Sequence, residues 1–181
     1  MEGDERLRLF CALLLPCEAV ERLVAWQEAE LGSAAGSLRL VSRENLHVTL
    51  AFLGSTPAAR LPGIVEALEQ AASGLEAPLL AALRYRETSS VGMIQLSDEQ
   101  ACAETLAERL WDGLERLDVY TREPRRWLPH VTVARFRERP RLTPPVPDLG
   151  EVMPSDAAVM ISRLRRGGAQ YEVFESVSLG G

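Results

Sequence analysis

The sequence predicts a single strand-rich domain with interleaved helices, on three observations. The chain has 181 residues, 46% hydrophobic and 25% charged, values that suit one folded domain rather than a disordered, collagen-like or membrane-embedded chain. Short apolar runs of strand length alternate with amphipathic stretches of helical period. The segment His47-Val48-Thr49-Leu50-Ala51 returns 83 residues later as His130-Val131-Thr132-Val133-Ala134, an internal echo too short for a solenoid repeat but confined to the only two histidines of the chain.

The elements follow in order. Leu7, Leu9 and the apolar run to Leu15, stopped by Pro16, predict a buried strand, and Glu18 to Leu31 an amphipathic helix. Gly32 to Ser37 is a small-residue linker, Leu38 to Val41 a short strand, and Leu46 to Leu53 a strand closed by Gly54. Pro57 opens a helix to about Ala72. Pro78 to Tyr85 and Val91 to Leu96 are strands, and Asp98 caps a helix from Glu99 to about Leu117. Trp127 to Phe136 is a further strand, Arg139 to Pro147 a loop with four prolines, and Ala157 to Leu179 two strands turning at Gly167-Gly168.

Composition excludes several chemistries. Acids outnumber bases 26 to 20, for a formal charge of −6, and every base is arginine. Without lysine there is neither Schiff-base catalysis nor a Walker-type phosphate grip. Cys11, Cys17 and Cys102 are odd in number and lack C-x-x-C spacing, which argues against a disulfide framework or zinc knuckle and points to a reducing cytoplasm. The apolar run from Leu9 to Leu15 is too short to span a bilayer, and its mixed-charge leader (Glu2, Asp4, Glu5, Arg6, Arg8) is unlike a signal peptide. No heptads are visible, so a monomer is expected.

On a strand, alternation puts His47 with Thr49 on one face, and His130 with Thr132 likewise. A lone strand histidine is ordinarily a packing residue; the duplication points to chemistry instead. Two imidazoles and two hydroxyls brought to one cleft suit phosphodiester cleavage. One neutral ring takes a proton from water while the other, protonated, gives one to the leaving oxygen, both forms being accessible at an unperturbed pKa of about 6.5. The hydroxyls donate to the non-bridging oxygens as charge builds there. Zinc would need a third ligand, with no H-E-x-x-H or cysteine pair to supply it, and no G-x-S-x-G serine elbow occurs.

Around the second motif, Arg122, Arg125, Arg126, Arg135, Arg137, Arg139 and Arg141 face two acids, Glu123 and Glu138. This basic run is the expected place of a phosphate, which arginine binds in bidentate fashion. Trp127, Phe136 and Phe52 are candidates to stack a base, although strand aromatics commonly belong to the core.

These residues resemble a known family. H-V-T-L (His47 to Leu50) and H-V-T-V (His130 to Val133) are similar to the paired H-x-T-x signatures of the two-histidine phosphoesterase superfamily. R-L-F-C-A-L-L-L-P (Arg8 to Pro16), E-N-L-H-V-T-L-A-F-L-G (Glu44 to Gly54), P-H-V-T-V-A-R (Pro129 to Arg135) and G-G-A-Q-Y (Gly167 to Tyr171) resemble its bacterial and archaeal RNA 2′,3′-cyclic phosphodiesterases, also called 2′-5′ RNA ligases. The departures are Ser42, where proline is common, and a polar stretch from Ser89 to Gln95.

The resemblance implies an α+β fold over the whole of residues 1–181, with two pseudo-symmetric lobes whose antiparallel sheets line a central cleft and whose helices lie outside. It implies hydrolysis of RNA 2′,3′-cyclic phosphate ends to 2′-phosphates, with no metal or cofactor. His47 then matches the proton donor and His130 the acceptor, while Thr49, Thr132 and Arg135 match the phosphate-binding residues. Strict alternation sets Arg135 on the face opposite His130, so a bulge or the strand's end must redirect it. Two other readings are a phosphodiesterase or ligase acting on 2′-5′ linked oligonucleotides or another small cyclic phosphodiester, and a non-catalytic binder of RNA ends.

Overall fold

A computed structural model describes residues 5–34, 36–166 and 168–180. In chain order the elements are β1 (Arg6–Leu14), α1 (Cys17–Trp26), β2 (Leu38–Leu40), β3 (Val48–Pro57), α2 (Leu61–Ala72), β4 (Ala81–Glu87), β5 (Val91–Ser97), α3 (Cys102–Arg116), β6 (His130–Phe136), β7 (Asp156–Arg165) and β8 (Gly168–Ser178). α1 runs on into a π-helical turn, Gln27–Leu31. Gly167 of the expected Gly167-Gly168 turn, Ala35 of the linker, and Glu2 and Asp4 of the leader lie outside the described residues.

Several boundaries differ from the expected ones: β3 starts at Val48 rather than Leu46, β4 at Ala81 rather than Pro78 and β6 at His130 rather than Trp127, and three more differ for local reasons. Gly54 does not close β3: its φ of +66° lets the strand pass through an irregularity opposite Leu9 and continue to Pro57. The helix expected from Pro57 therefore starts at Leu61, with Pro62 in the first turn, where its missing N–H costs nothing. α3 begins at Cys102 rather than Glu99, with Ala101 and not Asp98 at its N-cap; Asp98 Oδ2 nonetheless accepts the Glu104 backbone N–H of the first turn at 2.8 Å.

The fold is α+β, with all strands antiparallel in one curled sheet of order β4-β5-β6-β3-β1-β7-β8, and β2 pairing the remaining edge of β6. The expected two lobes with separate sheets are not seen among the described residues. Each half would leave a row of unpaired backbone groups at its edge, and β3 and β6 meet through one registered pair, Val48 with Val131. Alternation along β1 divides the interior. Leu9, Cys11 and Leu13 join the large core with α1, α2 and α3, whereas Phe10 and Ala12 join a small cluster on the opposite face with Ala158 and Met160. That second face carries the cleft. Among the described residues no helix is long and apolar enough to cross a membrane.

Candidate active site

A cleft of about 880 Å³ opens where β3 and β6 meet, and His47, Thr49, His130, Thr132 and Arg135 all line it. Antiparallel pairing of Val48 with Val131 puts both valines on the helix side, buried. Continued by one residue each way, the register sets His47 across from Thr132 and Thr49 across from His130 on the cleft side. The two motifs are thus interleaved at the seam rather than merely near one another.

Each imidazole is held by the carbonyl two residues before it. His47 Nδ1 lies 2.8 Å from the Asn45 oxygen, and His130 Nδ1 lies 2.8 Å from the Leu128 oxygen. A carbonyl only accepts, so each Nδ1 carries a proton and donates it. In the neutral rings Nε2 is then the free base. Thr49 Oγ1 is 2.9 Å from His47 Nε2 and donates to it in that state. Asn45 has a second attachment, its Nδ2 donating to the Ala169 oxygen at 2.8 Å, which ties the turn before β3 to the start of β8.

The environments of the two histidines differ. Phe10 and Tyr171 pack against the His47 ring at centroid distances of 5.0 and 5.4 Å. Burial pushes its pKa down to about 4, the charges of His130 and Arg135 add to the depression, and the bond to Asn45 opposes it. Unliganded, His47 is neutral at neutral pH.

Arg135 reaches the cleft through a bulge. β5 pairs Met93 with Thr132 but Gly92 with Ala134, so Val133 is the extra residue and alternation is reset after it. β3 repeats the device: β1 pairs Ala12 with Thr49 but Cys11 with Ala51, leaving Leu50 extra and turning Phe52 to the cleft. Both bulges fall on the fourth residue of their motif, and the redirected residue is the sixth.

The basic run around His130 does not surround the cleft. Arg122 is bound to Asp112 and Glu115, Arg125 to Glu123, Arg126 to Glu104 and Arg139 to Glu87. Of the seven arginines only Arg135 lines the cleft, where Arg8, Arg39 and Arg165 come from distant strands. Proximity in sequence was a poor guide because Arg122, Arg125, Arg126 and Arg139, on the loops flanking β6, pair with nearer carboxylates. Of the candidate aromatic residues, Phe52 lines the cleft at 52% exposure beneath the Arg8 guanidinium. Phe136 is buried, and Trp127 packs on Trp111 and donates to the Thr49 oxygen. Arg8 and Phe10, two apart on β1, shared a face by simple alternation; Tyr171 lay in the G-G-A-Q-Y segment; nothing local marked Arg39 or Arg165. No cysteine lines the cleft, and among the described residues no three His, Cys, Asp or Glu side chains gather as a metal-ligand set.

A curled antiparallel sheet bearing paired H-x-T motifs in a cleft with four arginines defines a phosphoesterase. Residues 14–84 match the LigT like Phosphoesterase family. An RNA 2′,3′-cyclic phosphodiesterase of Thermus thermophilus is 33% identical over 97% of this chain and 91% of its own. Among solved structures, TT0787 of the same organism superimposes with a TM-score of 0.80 at 31% identity, over 97% of this chain and 99% of that one. Escherichia coli LigT complexed with phosphate gives 0.75 at 25% identity, over 98% and 100%. The chain belongs to the LigT-like phosphoesterase family, as a homologue of the RNA 2′,3′-cyclic phosphodiesterases.

Proposed function

We propose that the protein hydrolyses the 2′,3′-cyclic phosphodiester at RNA ends to a 2′-phosphomonoester, by acid–base catalysis between His47 and His130 without a metal. The observation that carries this reading is the pair of imidazoles with fixed Nδ1–H tautomers, each across a short seam from the other motif's threonine. His130 Nε2 takes the proton of the attacking water as its oxygen bonds to phosphorus. The bond from phosphorus to the 3′ oxygen breaks, and the proton on His47 Nε2 passes to that oxygen. Exchange with solvent then restores both rings.

Thr49 and Thr132 donate to the non-bridging oxygens, and Arg135 neutralises their charge. His47 is neutral before substrate arrives, its pKa near 4. A phosphate anion against Nε2 favours the charged ring against the burial and the Arg135 charge that depress it, so the donor acquires its proton as RNA binds. The protein acts as a cytoplasmic monomer in this reading, the two halves of its site lying in one chain.

The test is incubation, in EDTA, with a short RNA ending in a 2′,3′-cyclic phosphate, resolving 2′- from 3′-phosphate products. Formation of the 2′-phosphate, reduced by about 10²–10⁴ in His47→Ala and His130→Ala, is the expected result. Absence of turnover, or turnover indifferent to both substitutions, overturns it.

A further inference from the structure

Outside the cleft, the buried polar side chain with the most consequential bonds is Gln27. It is 2% exposed, at the first position of the π-helical turn after α1; such widened turns recur at functional sites. Its Nε2 donates to the Val133 oxygen at 2.7 Å and to the Val41 oxygen at 3.0 Å. The Val133 oxygen also accepts the Val41 backbone N–H at 2.9 Å, so both of its lone pairs are occupied. Val133 is the extra residue of the β6 bulge, the one irregularity that turns Arg135 from the helix face to the cleft face. Removing the bulge would reorient its peptide and break both bonds inside a buried site, where unpaired polar groups are costly.

The other motif is built the same way. Its extra residue, Leu50, has its carbonyl held at 2.9 Å by Trp111 Nε1 of α3. In both motifs a side-chain N–H from the helix layer reaches through the core to the bulged fourth residue. A coincidental polar contact would have no reason to recur at the matching place.

We propose that Gln27 is a positioning residue for the reaction, holding the Val133 bulge so that Arg135 faces the phosphate. The proposal rests on the reading of Arg135 as a phosphate ligand. It assigns Gln27 an effect on affinity for the phosphoryl group, although Gln27 does not line the cleft.

Inorganic phosphate, as a competitive inhibitor of cyclic phosphate hydrolysis, is the probe, applied to wild type, Gln27→Met, Arg135→Ala and the double variant. Arg135→Ala is expected to raise the inhibition constant about tenfold. Gln27→Met, which keeps shape and loses the donor, raises it and KM about fivefold to tenfold, with kcat within about threefold. Added to Arg135→Ala, it raises the constant less than about twofold further, because its effect runs through the same arginine. A purely structural role would lower stability and leave the inhibition constant of the folded protein unmoved. If Arg135→Ala raises the constant and Gln27→Met leaves it within about twofold, or if the two effects multiply in full, the proposal is overturned. If Arg135→Ala itself has no effect, the reading of Arg135 fails and the role of Gln27 falls with it. Should Gln27→Met not fold, Gln27→Glu, with one protonated donor, is expected to raise the constant by about twofold to fivefold with the same non-additivity.

Discussion

Val48 and Val131 face each other across the seam of the sheet as the one registered pair between β3 and β6, both buried on the helix side. Their backbones set the offset of the two H-x-T motifs, so the placement of each histidine opposite a threonine depends on core packing beneath the cleft. Val131→Ala removes two methyl groups from a fully enclosed position and is expected to cost about 1–2 kcal/mol in urea unfolding. It should also lower kcat/KM about tenfold under conditions where the variant stays folded, since small misplacements of reacting groups are expensive. Unchanged kcat/KM in the folded variant would show that the seam tolerates the cavity without moving the histidines.

The two histidines can be told apart by the leaving group. Bis(4-nitrophenyl) phosphate expels nitrophenolate, which needs no proton, so a missing donor is tolerated and a missing base is not. His47→Ala should retain activity on this diester within about threefold of wild type while His130→Ala loses about 10²-fold. The opposite pattern would exchange their roles.

Proton linkage follows from the environment of His47, whose pKa falls from an ordinary 6.5 to about 4 on folding. The unfolded chain binds this proton more readily, so stability rises with pH between those values. The contribution is complete above about 6.5, and is lost as pH falls through about 4, to an extent on the order of 3 kcal/mol. His47→Gln should flatten that part of the stability curve, as measured by urea unfolding at a series of pH values. Calorimetry of phosphate binding in buffers of different ionisation enthalpy should show proton uptake at neutral pH; zero uptake would contradict binding-linked protonation of His47.

Glu87 anchors the proline-rich segment after β6. Its carboxylate, with 2% side-chain exposure, accepts from Tyr85 Oη, Arg139 Nε and the backbone N–H groups of Arg141 and Leu142. Burial raises its pKa, but these bonds together outweigh burial and hold it below the ordinary value of 4.5. Glu87→Gln should cost about 1–3 kcal/mol at neutral pH and expose residues 139–147 to proteolysis. The carboxylate's contribution is present above about 4.5 and is lost as pH falls through the lowered value, so the gap from wild type closes in acid. A gap independent of pH would mean that charge is not what binds the segment.

The order of strands and helices and the pairing of His47 with Thr49 and His130 with Thr132 were legible in the sequence alone, and the need for a break in alternation before Arg135 followed once the family resemblance gave that residue a place at the phosphate. Each depends on short-range facts: side-chain period, proline and glycine geometry, and a repeat visible by inspection. The bounds of β3 and α3 were less legible, because Gly54 could end a strand or bend one, and only pairing with β1 decided which. Tertiary structure alone decided that the two halves share one sheet, that Arg8, Arg39 and Arg165 join Arg135 in the cleft while the rest of the run around His130 stays out of it, and that Gln27 and Trp111 reach the two bulges. Those outcomes depend on which distant edges and carboxylates meet. Packing sets them, and no local spacing encodes them.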